Sequence, residues 1–426
     1  MMRRRELLKR SLGSALAGGG MAGWLSARPA RADAATSPAS GPAFPEARAV
    51  TRGPKNHFFG YYDKSPWDAT GRYLLAMEID FIGRDPRKGE SLTVGMVDLE
   101  RDNRFIPLDT TQAWGWQQGT MLQWLGSAPD REVIYNSVDG DRYVSIIRDV
   151  HSGKTRTLPR PVYDVSLDGR QAVTLDFERV NRLRPGYGYV ALPERTEHDA
   201  APKDAGIYWM DLATGHDKQI LGLEWAAHNE PLPEFEGAHH WFNHLKLNPS
   251  GTRLLFLHRW RPVSTMRFST RMYTARTDGS DVRFLSRSTL FSHFDWRDDE
   301  TILAWTSTKE QGNHFYLIDD RTGRHEVFAG GVLTRDGHCS YSPDRKWVLV
   351  DTYPDKERRQ HLMLYRPADN RLIEIGAYPA NPALSGASRC DLHPRWNRDG
   401  TQVCFDGSHE PTRQMYAVDV GHIMQA

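Results

Sequence analysis

The chain has 426 residues, 55 basic against 54 acidic, and a formal net charge of +1, so its bulk electrostatics favour neither nucleic acid nor an anionic membrane surface. The length would accommodate two or three average domains, but an internal repeat argues for one large β domain. Only Cys339, Cys390 and Cys404 are present, an odd count that speaks against a disulfide framework.

Residues 1–32 read as a twin-arginine-type export signal. Arg4-Arg5 precedes a mild apolar run from Leu12 to Leu25, too short and glycine-rich to span a bilayer, and Ala30-Arg31-Ala32 offers a small-residue cleavage site. The expected location is periplasmic or secreted, without stable membrane insertion. Residues 33–45 are Ala/Ser/Pro-rich and read as a flexible leader. The folded domain is expected over 46–426, with Ala47-Arg48-Ala49-Val50 pairing onto the last blade to close a ring.

The repeat is clearest at His393-Pro394-Arg395-Trp396-Asn397-Arg398-Asp399-Gly400. A histidine is followed three residues later by an aromatic, then by a polar turn and an apolar β run. His293 to Trp296 and His338 to Tyr341 repeat the layout, and His244 to Leu247 repeats it with leucine in the aromatic slot. Copies starting at Lys64, Met121 and Val162 complete a set of seven. A period of forty to fifty residues with a turn and strand in each copy predicts an all-β, seven-bladed β-propeller of four-stranded antiparallel blades. The first residue of each copy then belongs to a ring near the inner strands: Lys64, Met121, Val162, His244, His293, His338, His393.

Four successive ring histidines point to a metal site, since ligands from neighbouring blades can converge on one point. His338 and His393 form its core, Cys390 lies three residues before His393, and His293 is the natural fourth ligand. Cys339 is set aside because adjacent strand residues face opposite ways. The expected cofactor is a divalent metal, zinc first, with manganese or calcium as alternatives. The spacing breaks once, between Val162 and His244, where Arg184, Tyr187, Tyr189, His239 and His240 cluster in what reads as a long loop. His244, Tyr187, Tyr189 and Arg184 are the catalytic candidates. Lys64, His57, His239, His240 and Arg267 are the substrate-binding candidates.

The blade motifs, the His-x-x-Trp turns and the Asn56 to Asp63 opening resemble the seven-bladed propeller polysaccharide lyases, the oligogalacturonate and ulvan lyases. The resemblance implies β-elimination of a uronate glycan around a bound divalent metal. It places a metal histidine on His338 and the catalytic histidine on His293, so His293 stands as ligand or catalyst. The family's Gln-x-x-His-x-His pattern reads Cys390-Asp391-Leu392-His393-Pro394-Arg395 here, with cysteine for glutamine and arginine for the last histidine. The expected activity is metal-assisted cleavage of an acidic, uronate-containing oligo- or polysaccharide. The alternative is a non-catalytic propeller that binds a glycan or a protein partner.

Overall fold

Seven four-stranded antiparallel sheets follow one another along the chain, six of them built from consecutive strands. The computed structural model describes residues 44–286 and 290–425; the expected export signal and the start of the leader lie outside them. The fold is the all-β seven-bladed propeller that the repeat predicts. Blade one comprises Asn56–Phe58, Tyr73–Ile79, Leu92–Asp98 and Arg104–Thr111, and the inner strands of the next six start at Gln123, Asp164, Ala238, Phe291, Cys339 and Arg395. Blade seven takes its outermost strand from the other end of the chain: Ala47–Ala49 pairs with Gln414–Asp419, Ala47 opposite Val418. Among the described residues no helix is long and apolar enough to cross a membrane.

Central strands are apolar on both faces rather than alternating. Leu74, Leu75, Ala76 and Met77 are all fully buried, as are Leu254 to Leu257, because each blade is covered by its neighbours on either side. The ring positions are equivalent in backbone terms. The amide four residues beyond each one closes the turn onto the second strand, for example Asn248 N to Arg253 O at 2.9 Å and Asn397 N to Gln402 O at 3.0 Å.

The recurring aromatic has a structural job. The indole N–H of Trp124 donates to Pro66 O, that of Trp296 to Lys246 O, and that of Trp396 to Ser340 O, at 2.9, 3.2 and 3.4 Å. Each acceptor lies in the preceding blade, so this position staples neighbours together while burying a large ring.

The broken spacing resolves into two inserts. A short helix, Phe177–Leu183, follows the second strand of blade three, burying Phe177, Val180 and Leu183 at three-residue spacing. Pro185-Gly186 ends it, and Gly186 at φ +92° lets the loop press against Ala387, where a Cβ would come within 2.9 Å. The second insert holds the helix Leu223–His228. His239 and His240, expected in a loop, instead extend the inner strand of blade four, Ala238–Leu247, and pair with Arg261 and Trp260.

Candidate metal centre

Three side chains converge at one end of the inner strands. His338, Asp391 and His393 are buried, and one ligand atom from each lies within 4.8 Å of the others. His338 directs Nδ1 at both carboxylate oxygens of Asp351, at 2.9 Å, and its backbone amide donates to Oδ1 at 2.7 Å. The His393 amide reaches Asp351 Oδ2 at 3.2 Å, so one carboxylate orients two blades. Burial pushes the Asp351 carboxyl up to about 7, against the pull of these donors. His393 donates Nδ1–H to Gly60 O at 2.8 Å.

With both Nδ1 atoms engaged, each Nε2 lone pair faces the centre. Both Nε2 atoms are buried and without a hydrogen-bond partner. Burial holds both imidazoles well below the usual histidine range, so both are neutral at pH 7. Two neutral, carboxylate- or carbonyl-oriented imidazoles beside a carboxylate make a donor set suited to a divalent cation. The orphaned Nε2 atoms are the observation that favours one here.

Around this centre stand further groups. Arg389 donates Nε–H to Asp391 Oδ2 at 2.7 Å and Nη2–H to the Tyr187 hydroxyl at 2.8 Å. Burial alone would raise the Tyr187 phenol, but the charges of Arg389 and Arg184 outweigh it and bring it below the ordinary tyrosine value. Tyr61 fills the axis, with its ring centroid 4.9 Å from His393, 5.3 Å from His244 and 5.8 Å from His338. Arg395 sits under it, donating to Gly60 O and Tyr61 O at 2.5 and 3.0 Å and to Asp406 at 2.8 Å. The arginine in the place of the family's last histidine therefore holds the backbone that carries Tyr61.

His293 lies beside this set without joining it. Its ring is 4.1 Å from that of His338, but Nδ1 is 2.9 Å from Asp336 Oδ1 and Nε2 is 3.4 Å from the Tyr353 hydroxyl. Cys390 also stays out. Its Sγ is 3.9 Å from the Asp391 carbonyl oxygen, and it does not join the three ligand atoms that converge. Asp391 takes the place expected of Cys390.

The remaining candidates divide clearly. His244 stacks on Tyr61, meets Tyr187 edge-on at 5.5 Å, and has Nδ1 3.2 Å from the Tyr163 hydroxyl. Arg184 lies over the Tyr187 ring at 4.8 Å. Tyr189 does not face the centre: it stacks on Phe177 at 4.2 Å and accepts from Asn136, buried in the core. His240 and His258 form a buried pair, Nδ1 to Nε2 at 2.9 Å, and burial pushes His240 down to about 4. His239 meets Arg182 at 3.2 Å, while Arg267 is exposed in a turn. His57 is 3.1 Å from Gln414 of blade seven and 3.3 Å from Glu78 of blade one, so both its nitrogens are engaged between these two blades.

Lys64 sits at the opposite end of the inner strands. Its ammonium is 2.9 Å from Asp63 and 3.7 Å from Asp164, in the wall of a cavity of about 450 Å³ that Lys246 and Asp295 also line. His338, Asp391 and His393 do not line this cavity. Sequence reasoning missed Asp391, Arg389, Tyr61, Tyr353 and Asp336; Asp391 and His393 meet through a left-handed turn at His393, φ +43°, which a spacing rule for extended chain does not anticipate.

No known protein-family profile matches the chain, and no curated protein matches it by sequence. Solved structures do. An oligogalacturonate lyase from Vibrio parahaemolyticus aligns with TM-score 0.62 and 15% identity over 88% of this chain and 94% of its own. An oligogalacturonate lyase in complex with manganese aligns with TM-score 0.63 and 14% identity, covering 88% and 93%. A prolyl endopeptidase aligns with TM-score 0.51 and 11% identity over 86% of this chain but 48% of that one. At these identities the likeness establishes the propeller fold.

Proposed function

We propose that this protein is an exported lyase that cleaves a uronate-containing glycan by β-elimination, with a divalent cation held by His338, Asp391 and His393. The observation that carries the reading is the pair of buried, unpartnered Nε2 atoms facing Asp391. The near full-length match to oligogalacturonate lyases, one of them holding manganese, supports it, whereas the peptidase match spans about half of that chain. Such a cation would neutralise the uronate carboxylate and so acidify the proton at C5. Manganese and zinc both suit imidazole with carboxylate, and without a thiolate the preference for zinc loses its ground.

The chain's own groups supply the proton transfers. Asp336 fixes the His293 ring with Nδ1 protonated, leaving Nε2 to accept the C5 proton. Tyr353, an exposed side chain, has its hydroxyl 3.4 Å from that nitrogen, and a phenol keeps a proton at neutral pH to give to the leaving oxygen. His244 lacks a carboxylate partner and faces Tyr163 instead, which favours His293 as the base. His244 and Tyr187 form the opposite wall. Incubation with acidic glycans, followed by ultraviolet absorbance of unsaturated uronate products, tests the reading; hydrolysis without unsaturation, or no cleavage across the panel, removes it. Export is tested by replacing Arg4 and Arg5 with lysine, which should hold the precursor in the cytoplasm.

A further inference from the structure

Tyr353 stands in the turn that joins the second and third strands of blade six, Val348–Asp351 and Arg359–Arg366. Its side chain is 37% exposed, and its ring leans on those of His293 and His338 at 6.0 and 5.9 Å. With so much of the ring in water, the backbone of the turn must aim it. Pro354 fixes its own φ and confines Tyr353 to extended conformations, so that aim follows from where Thr352 and Asp355 are pinned.

One residue pins both. The Thr352 amide donates to His361 O at 3.0 Å, and the His361 amide returns a bond to Thr352 Oγ1 at 3.1 Å. The His361 side chain takes the other end of the turn, with Nε2 2.9 Å from Asp355 Oδ2. Nδ1 is 2.5 Å from Glu374 Oε1, on the outermost strand of the blade, Arg371–Pro379. An ionised carboxylate only accepts, so a carboxylate on each nitrogen calls for an N–H on each, which is the imidazolium. Asp355 also accepts at Oδ1 from the Arg359 amide at 2.8 Å, while the Arg359 guanidinium donates to Ala377 O. The other charges of the turn, Lys356, Glu357 and Arg358, are exposed.

Fully exposed ion pairs contribute little, but the His361 ring is 24% exposed and gripped from two sides. Burial alone would lower its imidazole; the hydrogen bonds and charges of Glu374 and Asp355 outweigh it and raise it above the ordinary histidine value. The folded chain thus holds this proton more tightly than the unfolded chain, which titrates near about 6.5. The clamp is complete below that pH and is lost as pH rises through the raised value of the folded protein.

We propose that His361 is a positioning residue for Tyr353, clamping as an imidazolium the turn that presents the tyrosine to His293. The proposal rests on the reading of Tyr353 as the proton donor of the lyase reaction. Once His361 is neutral, one of its two carboxylates faces a lone pair, the turn slackens, and turnover falls on the alkaline side.

The test follows kcat against pH for cation-loaded protein, on whichever acidic glycan of the panel yields unsaturated product. Glutamine in place of His361 donates one N–H, as the neutral ring does. His361→Gln should therefore lower kcat about tenfold at pH 6 and remove the His361 limb, with KM and cation content unchanged. Glu374→Gln touches neither the turn nor the cation centre. It should lower the His361 titration seen by histidine nitrogen NMR and move the alkaline limb of kcat down by the same interval, which a merely structural contact would not do. If His361→Gln fails to fold in a thermal melt, Glu374→Gln decides alone. Loss of the His361 proton at or below pH 6.5, full kcat in His361→Gln, or a limb that stays put in Glu374→Gln overturns the proposal. If the unsubstituted protein cleaves no glycan, the lyase reading falls and hydrogen exchange judges the clamp. Faster exchange of the Thr352 and Asp355 amides in the variants keeps it, and unchanged exchange removes it.

Discussion

Asp391 Oδ2 lies 3.9 Å from His393 Nε2, and the two residues are two apart in a segment where His393 takes the left-handed conformation, φ +43°. That turn, not strand alternation, delivers a carboxylate and an imidazole to one point. Cys390 is turned away, its Sγ 3.9 Å from the Asp391 carbonyl oxygen. Purified protein should therefore contain about one divalent cation per chain by elemental analysis. Asp391→Ala and His338→Ala should lose it, and Cys390→Ser should keep it. Asp351→Asn should weaken cation binding by about 10–100-fold, because it removes the group that orients both histidines.

His293 and His244 separate on their partners. His293→Ala should lower turnover by about two to four orders of magnitude with metal content unchanged. His244→Ala, measured alongside it, should cost less in turnover and more in KM, since His244 lies in the wall with Tyr61 and Tyr187. A larger turnover loss for His244→Ala would exchange their roles.

Asp406 is fully buried between Arg395 at 2.8 Å and Arg413 at 2.6 Å. Asp406→Ala would leave two uncompensated guanidiniums in the core. It should destabilise the fold by about 3–5 kcal/mol in denaturant unfolding. Because Arg395 also holds the Tyr61 backbone, the same variant should lose cation affinity.

Asp176 precedes the insert helix, and its carboxylate accepts from Gly206 N at 2.8 Å. Burial, with the nearby Glu178 charge, pushes its carboxyl up to about 7. The folded chain therefore holds this proton more tightly than the unfolded chain, whose carboxyl titrates near about 4. The resulting stabilisation is complete below about 4 and is lost as pH rises towards 7. Asp176→Asn keeps an acceptor for Gly206 and removes the titration. Thermal melts across this window should show the variant gaining on the wild type as pH rises.

The blades were legible because turn chemistry and the stapling aromatic repeat with the period, and each signal is local in sequence. Equivalent backbone positions did not mean equivalent surroundings, however. Lys64, Met121 and His393 occupy one register, yet Lys64 pairs with Asp63 at the far end and Met121 joins the apolar core. The insert misled because density of arginine, tyrosine and histidine does not say which way a residue faces. Tyr187 reaches Arg389 some 200 residues later, |i−j| = 202, whereas Tyr189 packs on Phe177.

The strand exchange in blade seven makes this centre a late-assembled one. Gly60 and Tyr61 come from the start of the folded chain and His393 from near its end, and the hydrogen bond between Gly60 and His393 crosses the seam where the circle is joined. A nascent chain lacks this centre until Asp391 and His393 have been made, and a cation gripped there would act as a clasp on the closed circle. Removing the ion should then loosen the first and seventh blades before the others, so that chelation registers in hydrogen exchange at Ala47–Ala49 and Gln414–Asp419 ahead of blades three to five.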